Sequence, residues 1–353
     1  MKRILLATRL MPELGLKGSA TYLFEIVRLL SESGWEVRVA MMTSTYAKRG
    51  LTPWTRVPAD VLALADVTSL GGKRVGTRIF PTNFGPHKAV ISLMSAYKLL
   101  PEGVRKGMRR LAGPLFGAVA KQSRWFRPAT EPEKRFVGAQ INAFKPDILL
   151  VNYAFVADVL DVPEASGLVK AILSHDLIWQ RMENEELGEQ RHEWSRELEE
   201  SLYRKADLAI PIQQEEAELI GSISDGPEVC CLPMPTRPVR SDREPIPGRC
   251  LFVGSKGIFN NAALEWFLES VWPLVREKNK DAELVVCGTV CDDFEASNGV
   301  RLLGRIPDLS GEYAKSELCV VPLRFGSGLK IKLVEALAHC RPVVSTGVGV
   351  QGI

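Results

Sequence analysis

A glycine-rich turn near the end of the chain combines residues suited to binding an anion. Gly326-Ser327-Gly328 ends an apolar strand pattern, and a basic amphipathic segment containing Leu329 and Lys330 follows directly. Glycine lets backbone N–H groups approach a ligand closely, and the free N–H groups and dipole of a helix N-terminus favour negative charge. The turn therefore predicts a site for a phosphate-bearing ligand.

Two other loops share this combination of small residues and a predicted helix start. Gly15–Ser19 precedes the first predicted helix, and Gly254-Ser255-Lys256-Gly257 follows a predicted strand. Lys256, like Lys330, adds positive charge where a diphosphate would bind. Neither the G-x-G-x-x-G dinucleotide fingerprint nor the P-loop spacing is present, which argues against those two nucleotide-binding classes.

Glu335 lies seven residues after Gly328, so two helical turns would place both on about the same face. A carboxylate there could accept two hydroxyl hydrogen bonds, as from a ribose. The alternative interpretation is an ion pair with Lys332, one turn earlier. Spacing alone does not decide between them.

His175 follows the predicted strand Val169–Ser174 directly. At the carboxyl end of a strand, a histidine can contact substrate hydroxyls or the reacting atoms. The alternative is a histidine that caps the next helix. Asp176 is adjacent in sequence, which does not by itself make a catalytic pair.

Length and composition are typical of a soluble globular protein with two domains. The chain has 353 residues, of which 46% are hydrophobic and 25% charged, and no apolar run reaches the ~18–20 residues of a spanning helix. The seven cysteines are scattered, and Cys287 and Cys291 lack zinc-type spacing. We therefore expect no metal site and no cofactor, and a cytoplasmic location.

Strand and helix patterns alternate along most of the chain. The first unit is a strand at Ile4–Ala7, a helix beginning at Gly18-Ser19 and ended by Gly34, and a strand at Val37–Met41, which predicts a parallel sheet. Later strands are predicted at 147–152, 169–174, 206–211, 250–253, 283–287, 300–303, 318–323 and 343–345, and helices at 183–205, 261–278 and 309–314.

A proline-rich stretch from Pro233 to Pro247 has the composition of a linker. It predicts two doubly wound α/β domains: an N-terminal Rossmann-like domain over residues 1–235 and a C-terminal one over 236–353. Ligands in such sheets bind at the carboxyl ends of the strands, so two facing domains form a cleft.

The segment from Lys73 to Arg127 contains many Lys and Arg residues and a single acid, Glu102. We predict a basic helical insertion in the first domain, at about 73–127. One interpretation is a solvated basic face. The other is peripheral binding to an anionic membrane surface, because Leu93, Met94, Leu99, Leu100, Met108, Leu111, Leu115 and Phe116 alternate with the charges. No nucleic-acid reader motif accompanies the charge.

Several motifs of the C-terminal half occur together in one known family. They are Leu251-Phe252-Val253-Gly254-Ser255, Asn260-Asn261, Trp266-Phe267, Leu303-Gly304 and the segment 322–346. This part, about residues 249–353, resembles the group 1 (family 4) retaining glycosyltransferases, which have the two-domain GT-B fold. The N-terminal half fits more loosely, and residues 45–145 do not fit.

The resemblance implies an enzyme that moves a sugar from a nucleotide-diphosphate sugar to a glycan, lipid-linked or small-molecule acceptor, without a metal or a dedicated base. It implies that Ser255, Lys256 and the 326–330 turn hold the diphosphate, that Glu335 holds the ribose, and that His175 approaches the transferred sugar. Residues implied to bind the donor are Gly18, Ser19, Gly254, Ser255, Lys256, Asn261, Gly326, Ser327, Gly328, Leu329, Lys330 and Glu335; His175, Lys330 and Glu335 are the implied catalytic residues.

Three departures from the family pattern keep other functions open. Ser327 stands where the family often has a glutamate, Cys340 replaces a usual glycine before Arg341, and the chain ends at Ile353 where family chains continue with further helix. We therefore expect an incomplete C-terminal domain. A non-catalytic nucleotide-sugar-binding scaffold and a GT-B sugar epimerase are the alternatives.

Overall fold

A computed structural model describes residues 2–14, 18–42, 54–82, 127–182 and 194–353. The described strands form two sheets, one of ten strands and one of five. Coil covers residues 231–245 between them. The predicted domain boundary at 235 lies in this coil and stays a prediction.

The first sheet is parallel in its centre. Its strands are β1 Arg3–Thr8, β2 Glu36–Met41, β3 Thr55–Arg56, β4 Asp66–Ser69, β5 Gly72–Val75, β6 Arg78–Pro81, β7 Ile148–Asn152, β8 Val169–Ser174, β9 Leu208–Pro211 and β10 Glu228–Val229. Their order is β10-β9-β8-β7-β1-β2-β4-β5-β6-β3, and β1 pairs in parallel with both β2 and β7. The carboxyl ends of β1, β7 and β8 therefore lie side by side.

Helices follow these strands as the alternation predicts. They are α1 Gly18–Glu32, α2 Ala59–Leu64, α3 Glu131–Phe144, α4 Ile178–Met182, α5 Arg196–Tyr203 and α6 Gln214–Gly221, with 3₁₀ turns at Ala154–Asp161 and Pro163–Ala165. The helix predicted at 183–205 is shorter, because the Ser195 side chain accepts a hydrogen bond from Leu198 N and begins α5 there. Residues 183–193 lie outside the described residues.

The start of the predicted basic helical insertion is wrong. Residues 72–75 and 78–81 pair as antiparallel strands. Gly76 has φ 57°, which favours a tight turn between the strands over a helix, and Ile79 is buried. The remainder of the insertion, from residue 83 to 126, lies outside the described residues.

The second sheet is wholly parallel. Its strands are β11 Ile246–Val253, β12 Glu283–Cys287, β13 Val300–Gly304, β14 Ser316–Val321 and β15 Val343–Ser345, in the order β13-β12-β11-β14-β15. Its helices are α7 Ile258–Trp266, α8 Trp272–Lys278, α9 Ser310–Lys315 and α10 Ile331–Ala338, with a 3₁₀ turn at Thr289–Asp293.

The helix predicted at 261–278 begins earlier, at Ile258, and is interrupted by a π-helical turn, Phe267–Val271. Pro273 follows this turn and lacks the N–H that a continuous α-helix needs, which accounts for the interruption. Cys340, after α10, has φ 55°, a conformation that favours the glycine usual in the family. None of the helices in the described ranges is long and apolar enough to cross a bilayer.

Glu133 joins α3 to Arg9, the residue that directly follows β1. Both of its carboxylate oxygens accept hydrogen bonds from Arg9, at 2.9 Å each, and it also bonds Arg127 and the backbone and hydroxyl of Thr130. Burial alone would raise its pKa. The bonds from Arg9, Arg127 and Thr130 outweigh that effect and lower the pKa of Glu133 to about 2.

We predict that Glu133→Gln lowers the free energy of unfolding by about 2–3 kcal/mol at pH 7, because a buried, bidentate charge pair loses one partner. The native-state pKa is depressed, so this stabilisation is present above the unfolded pKa near 4.5 and is lost as pH falls towards 2. Urea unfolding at pH 7 and at pH 3 measures both effects.

Glu131→Gln is the matched control, since Glu131 lies in the same first turn but its side chain is 74% exposed. It should change the free energy of unfolding by less than about 0.5 kcal/mol. Equal effects of the two substitutions would contradict the assignment of Glu133 as an anchor of α3.

Candidate functional site

The two sheets meet through close backbone contacts between predicted site residues. Gly328 has φ 76°, and a Cβ atom there would lie 2.9 Å from both Asp176 Cβ and the His175 carbonyl oxygen. The Ser327 hydroxyl also donates to Asp176 Oδ2 at 3.3 Å. The glycine turn of the second sheet therefore packs directly on the segment that follows β8.

Apolar side chains support the same junction. Leu329, Ile331 and Val334 of the second sheet's layer pack against the core of the first sheet, which includes Leu6 and Leu23. Ile331 and Val334 lie on one side of α10, and Leu329 lies just before this helix. The junction thus buries hydrophobic surface around the polar contacts of Ser327.

The N-termini of α1 and α10 converge at this junction. Gly18 is the first residue of α1 and Ile331 the first of α10, and a Cβ at Gly18 would lie 2.7 Å from Ile331 Cγ1. Gly18 and Ser19 are half-buried there, whereas residues 15–17 lie outside the described part. Two positive helix ends at one point form an environment that favours an anion.

Lys330 is buried, and its ammonium group donates to the carbonyl oxygens of Ser327, at 3.1 Å, and of Gly328. It also lies 3.4 Å from Gln351 Oε1. Lys330 therefore fixes the shape of the glycine turn, in which Gly326 has φ 118°. In this conformation the ammonium group of Lys330 is hydrogen-bonded to the carbonyl groups of its own turn.

Lys256 and Asn261, at the N-terminal end of α7, share one acidic partner. Lys256 Nζ pairs with Asp293, and Asn261 Nδ2 donates to the other oxygen of Asp293 at 2.7 Å. The Lys256 side chain is 52% exposed. Gly254 lies in the same loop, and its backbone packs so closely on Gly288 that a Cβ atom at Gly288 would lie 2.1 Å from the Gly254 carbonyl oxygen.

Glu335 and Lys332 do not form the ion pair that their spacing allowed. Glu335 Oε2 accepts a hydrogen bond from Tyr313 Oη at 3.2 Å. Lys332 Nζ donates to Asn260 Oδ1 and lies 4.9 Å from the centre of the Phe252 ring. Asn260 also donates to the Ser255 carbonyl, so Lys332 connects α10 to the 254–257 loop.

Both groups have shifted pKa values. Burial raises the pKa of Glu335, although Tyr313 and Lys332 oppose that effect. Burial and then the positive charge of Lys330 lower the pKa of Lys332 to about 7, and Glu335 counteracts this only in part. A titratable amine between two loops predicted to bind an anion is a candidate functional group, and its pKa shift has a physical cause.

His175 is held on three sides by side chains of the first sheet. Its Nε2 lies 2.6 Å from Asn152 Oδ1, its ring stacks on Tyr153 with centroids 4.4 Å apart, and Tyr22 meets it edge-on at 5.1 Å. Tyr153 has φ 78°, an uncommon conformation for a bulky residue. The imidazole is thus fixed in place rather than free to rotate.

Sequence reasoning missed three partners: Asn152, Asp293 and Tyr313. Asn152 left a signal, since it is a polar residue that ends an apolar strand beside β1 and β8. Asp293 and Tyr313 lie far along the chain from Lys256 and Glu335. Only the fold brings those pairs together.

Part of the sequence resembles known proteins. The family model described as "Glycosyl transferases group 1" matches residues 247–353. An uncharacterised 44.6 kDa protein in the cps region of Klebsiella pneumoniae is 29% identical over 115 residues, which are 29% of this chain and 30% of that protein's length. The match therefore spans less than a third of this relative.

Solved structures resemble the whole chain. Sucrose-phosphate synthase from Thermosynechococcus elongatus has a TM-score of 0.60 at 15% identity, covering 99% of this chain and 82% of that one. TarM has a TM-score of 0.63 at 9% identity, covering 99% and 85%. The chain has the GT-B fold. The predicted fold class, two parallel α/β sheets in this arrangement, is confirmed.

We predict that Gly328→Ala separates the two halves of this GT-B chain. The new methyl group would overlap Asp176 and the His175 carbonyl at 2.9 Å, both of which belong to a buried segment with little room to move. Small-angle X-ray scattering should show a larger radius of gyration than for the wild type.

Gly34→Ala separates the effect of this contact from the cost of backbone strain. Gly34 has a similar φ of 82° but no atom within 4 Å of its Cβ position. It should cost about 1 kcal/mol of stability and leave the radius of gyration unchanged. Unchanged scattering from Gly328→Ala would refute the packing role of Gly328.

Proposed function

We propose that the protein is a glycosyltransferase that moves a sugar from a nucleotide-diphosphate sugar to a glycan, lipid-linked or small-molecule acceptor. One observation carries this proposal: the N-termini of α1 and α10 meet between the two sheets, at Gly18 and Ile331. A diphosphate is the common ligand group that suits two converging positive helix ends. The family description of residues 247–353 supports the same conclusion.

In this proposal the donor lies along the 326–335 segment. The N–H groups of Gly328 and Leu329 hold the diphosphate, and Ser255 and Lys256 approach it from α7. Glu335 accepts hydrogen bonds from the ribose hydroxyls, as its half-buried position allows; among the described residues, its side chain accepts a hydrogen bond from Tyr313. Gly18 and Ser19 cover the diphosphate from the other domain.

The chemical step we propose breaks the bond between the sugar's anomeric carbon and the diphosphate oxygen. Helix dipoles and Lys332 stabilise the negative charge that develops on the departing nucleoside diphosphate. The acceptor oxygen forms the new bond to the anomeric carbon on the same face from which the diphosphate leaves, so the configuration is retained. The departing phosphate takes the proton of the acceptor hydroxyl, so this step needs neither a metal nor a dedicated base. His175 contacts the transferred sugar.

The biological context that we propose is polysaccharide or glycoconjugate synthesis. The relative in the cps region of Klebsiella pneumoniae supports it, because capsule-type polymers are built by successive sugar transfers. The acceptor would bind on the first sheet, whose residues 83–126 are not among those described. Binding to an anionic membrane surface through residues 73–127 remains part of the same proposal.

A non-catalytic nucleotide-sugar-binding protein is the second candidate. Ser327 supports it, since its hydroxyl is engaged with Asp176 and carries no charge for a donor sugar. Turnover separates the two functions: a scaffold binds the donor without transfer or hydrolysis. Release of nucleotide without any acceptor product would instead indicate an epimerase.

We predict that Glu335→Ala weakens binding of the nucleotide sugar by at least about tenfold, because a carboxylate loses hydrogen bonds worth about 1.5–3 kcal/mol each. Isothermal titration with the UDP-, GDP- or ADP-sugar that most stabilises the wild type in a thermal-shift screen measures the loss. Glu269→Ala, which removes an exposed carboxylate on the π-helical turn, is the control. Equal affinity of wild type and Glu335→Ala would contradict the ribose assignment.

We also predict that donor binding takes up a proton through Lys332. Its pKa of about 7 should rise when a diphosphate approaches, so affinity should be highest below pH 7 and fall as pH rises through 8. Titration at pH 8 in two buffers of different ionisation enthalpy measures the uptake. Lys332→Met should abolish it; uptake that persists in this variant would assign the proton to another group.

A further inference from the structure

Tyr313 in α9 is a buried tyrosine whose hydroxyl group contacts α10. It is 2% exposed, and its Oη donates a hydrogen bond to Glu335 Oε2 at 3.2 Å. The ring belongs to the same core cluster as Leu251 and Cys319. It also stacks on His339, with ring centroids 4.6 Å apart and planes 9° from parallel. Because the phenol oxygen lies in the plane of its ring, this packing fixes the position of the donor.

The charges of the two side chains decide the direction of this hydrogen bond. Burial, and then the negative charge of Glu335, raise the pKa of Tyr313 well above its ordinary range, so the phenol keeps its hydrogen. Donation from Tyr313 in turn lowers the pKa of Glu335 against the effect of burial. Tyr313 is therefore the donor, and its hydrogen bond favours the carboxylate form of Glu335.

Lys332 is the partner that competes for Glu335. It lies one helical turn earlier, a spacing that allows an ion pair, and its positive charge already lowers the pKa of Glu335. In the structure Lys332 donates to Asn260 instead. A carboxylate has about four acceptor positions, and Tyr313 occupies one. Without the Tyr313 hydroxyl, the Glu335 side chain would therefore turn towards Lys332.

We infer that Tyr313 is a positioning residue: it holds the Glu335 carboxylate away from Lys332, so that both ribose hydroxyls of the donor can bond to it. Glu335 is half-buried, so a ligand can reach its remaining acceptor positions. Tyr313 thereby sets the preference for ribose over deoxyribose rather than the affinity for the diphosphate. The ribose part of this inference rests on the proposed function, whereas the separation of Glu335 from Lys332 does not.

Binding of ribose and deoxyribose nucleotides tests the role of Tyr313. The probes are UDP, GDP or ADP, whichever most stabilises the wild type, and its 2′-deoxy form, both measured by isothermal titration. The wild type should prefer the ribonucleotide by at least about tenfold, as expected for one hydrogen bond to a charged group. Tyr313→Phe keeps the ring but removes the hydroxyl, and should reduce this preference below about threefold. An unchanged preference in Tyr313→Phe would overturn the inference.

Two further variants separate positioning from a general loss of stability. Tyr203→Phe is the matched control, because Tyr203 is a buried tyrosine of the first sheet's layer that donates to Ser174 Oγ at 2.9 Å. It should keep the wild-type preference for the ribonucleotide. If Tyr313 acts through Glu335, the double variant Tyr313→Phe/Glu335→Ala should bind the ribonucleotide no more weakly than Glu335→Ala alone. An additional loss in the double variant would contradict the inference.

Titration of Lys332 in the free protein tests the inference without any ligand. The charged or titratable groups that act on Lys332 are Lys330 and Glu335, and those that act on Glu335 are Tyr313 and Lys332. In Tyr313→Phe the Glu335 carboxylate should pair with Lys332 and raise its pKa from about 7 to above about 8. NMR of ¹³C-labelled lysines measures this, with Lys332→Met to assign the signal. An unchanged titration would overturn the inference.

The two measurements distinguish this inference from the proposed function. If no nucleotide binds the wild type, the proposed function fails, and the titration of Lys332 still decides whether Tyr313 holds Glu335 away from it. If the wild type prefers ribose and Tyr313→Phe does so equally, only this inference is wrong. His339→Ala, at a half-buried position, is a second variant in case Tyr313→Phe does not fold. It removes the stacking partner of Tyr313 and should also reduce the preference; a wild-type preference there would overturn the role of the fixed ring.

Discussion

The contact of Gly328 with the backbone after β8 is the constraint on which the rest of the site depends. It sets the distance between the two sheets at their carboxyl ends, where no side chain at position 328 would fit. The residues proposed to bind the donor lie on both sides of this gap, with Gly18 on one side and Glu335 on the other. The apolar side of α10, with Ile331 and Val334, makes the approach favourable by burying hydrophobic surface.

Each of the three lysines of the site is held by nearby groups of the protein itself. Lys330 is held by the carbonyls of its own turn, Lys256 by Asp293, and Lys332 by Asn260 and an aromatic face. Each lysine is therefore oriented before a ligand arrives, which lowers the ordering cost of binding. The lowered pKa of Lys332 reflects its burial and the nearby positive charge of Lys330.

Local patterns were sufficient to predict the order of elements and the positions of the loops. The strands Val169–Ser174, Glu283–Cys287 and Val343–Ser345 have the predicted bounds, because each is an apolar run between breaking residues. The hairpin around Gly76 was not predicted, because its strands are polar and short. The π-helical turn before Pro273 was missed since a proline near a helix start also fits an uninterrupted helix.

The site residues also divide into those that local sequence patterns predict and those that only the tertiary structure identifies. Gly328, Lys330 and Glu335 lie within one local motif and could be found by spacing. The partners that give these groups their chemistry, such as Tyr313 for Glu335 and Asn260 for Lys332, belong to other loops and follow from tertiary packing. The alternative of a Glu335–Lys332 ion pair was reasonable by spacing, but the structure pairs Glu335 with Tyr313 and Lys332 with Asn260 instead.

The convergence of α1 and α10 has a consequence for the energetics of the contact between the two sheets. Two like poles repel one another, so this junction closes against an electrostatic resistance that apolar contact from Leu329 and Ile331 must overcome. Negative charge between the poles cancels that resistance, and its departure restores it. Under the proposed function, the diphosphate of the donor therefore stabilises the contact between the two sheets by its own charge.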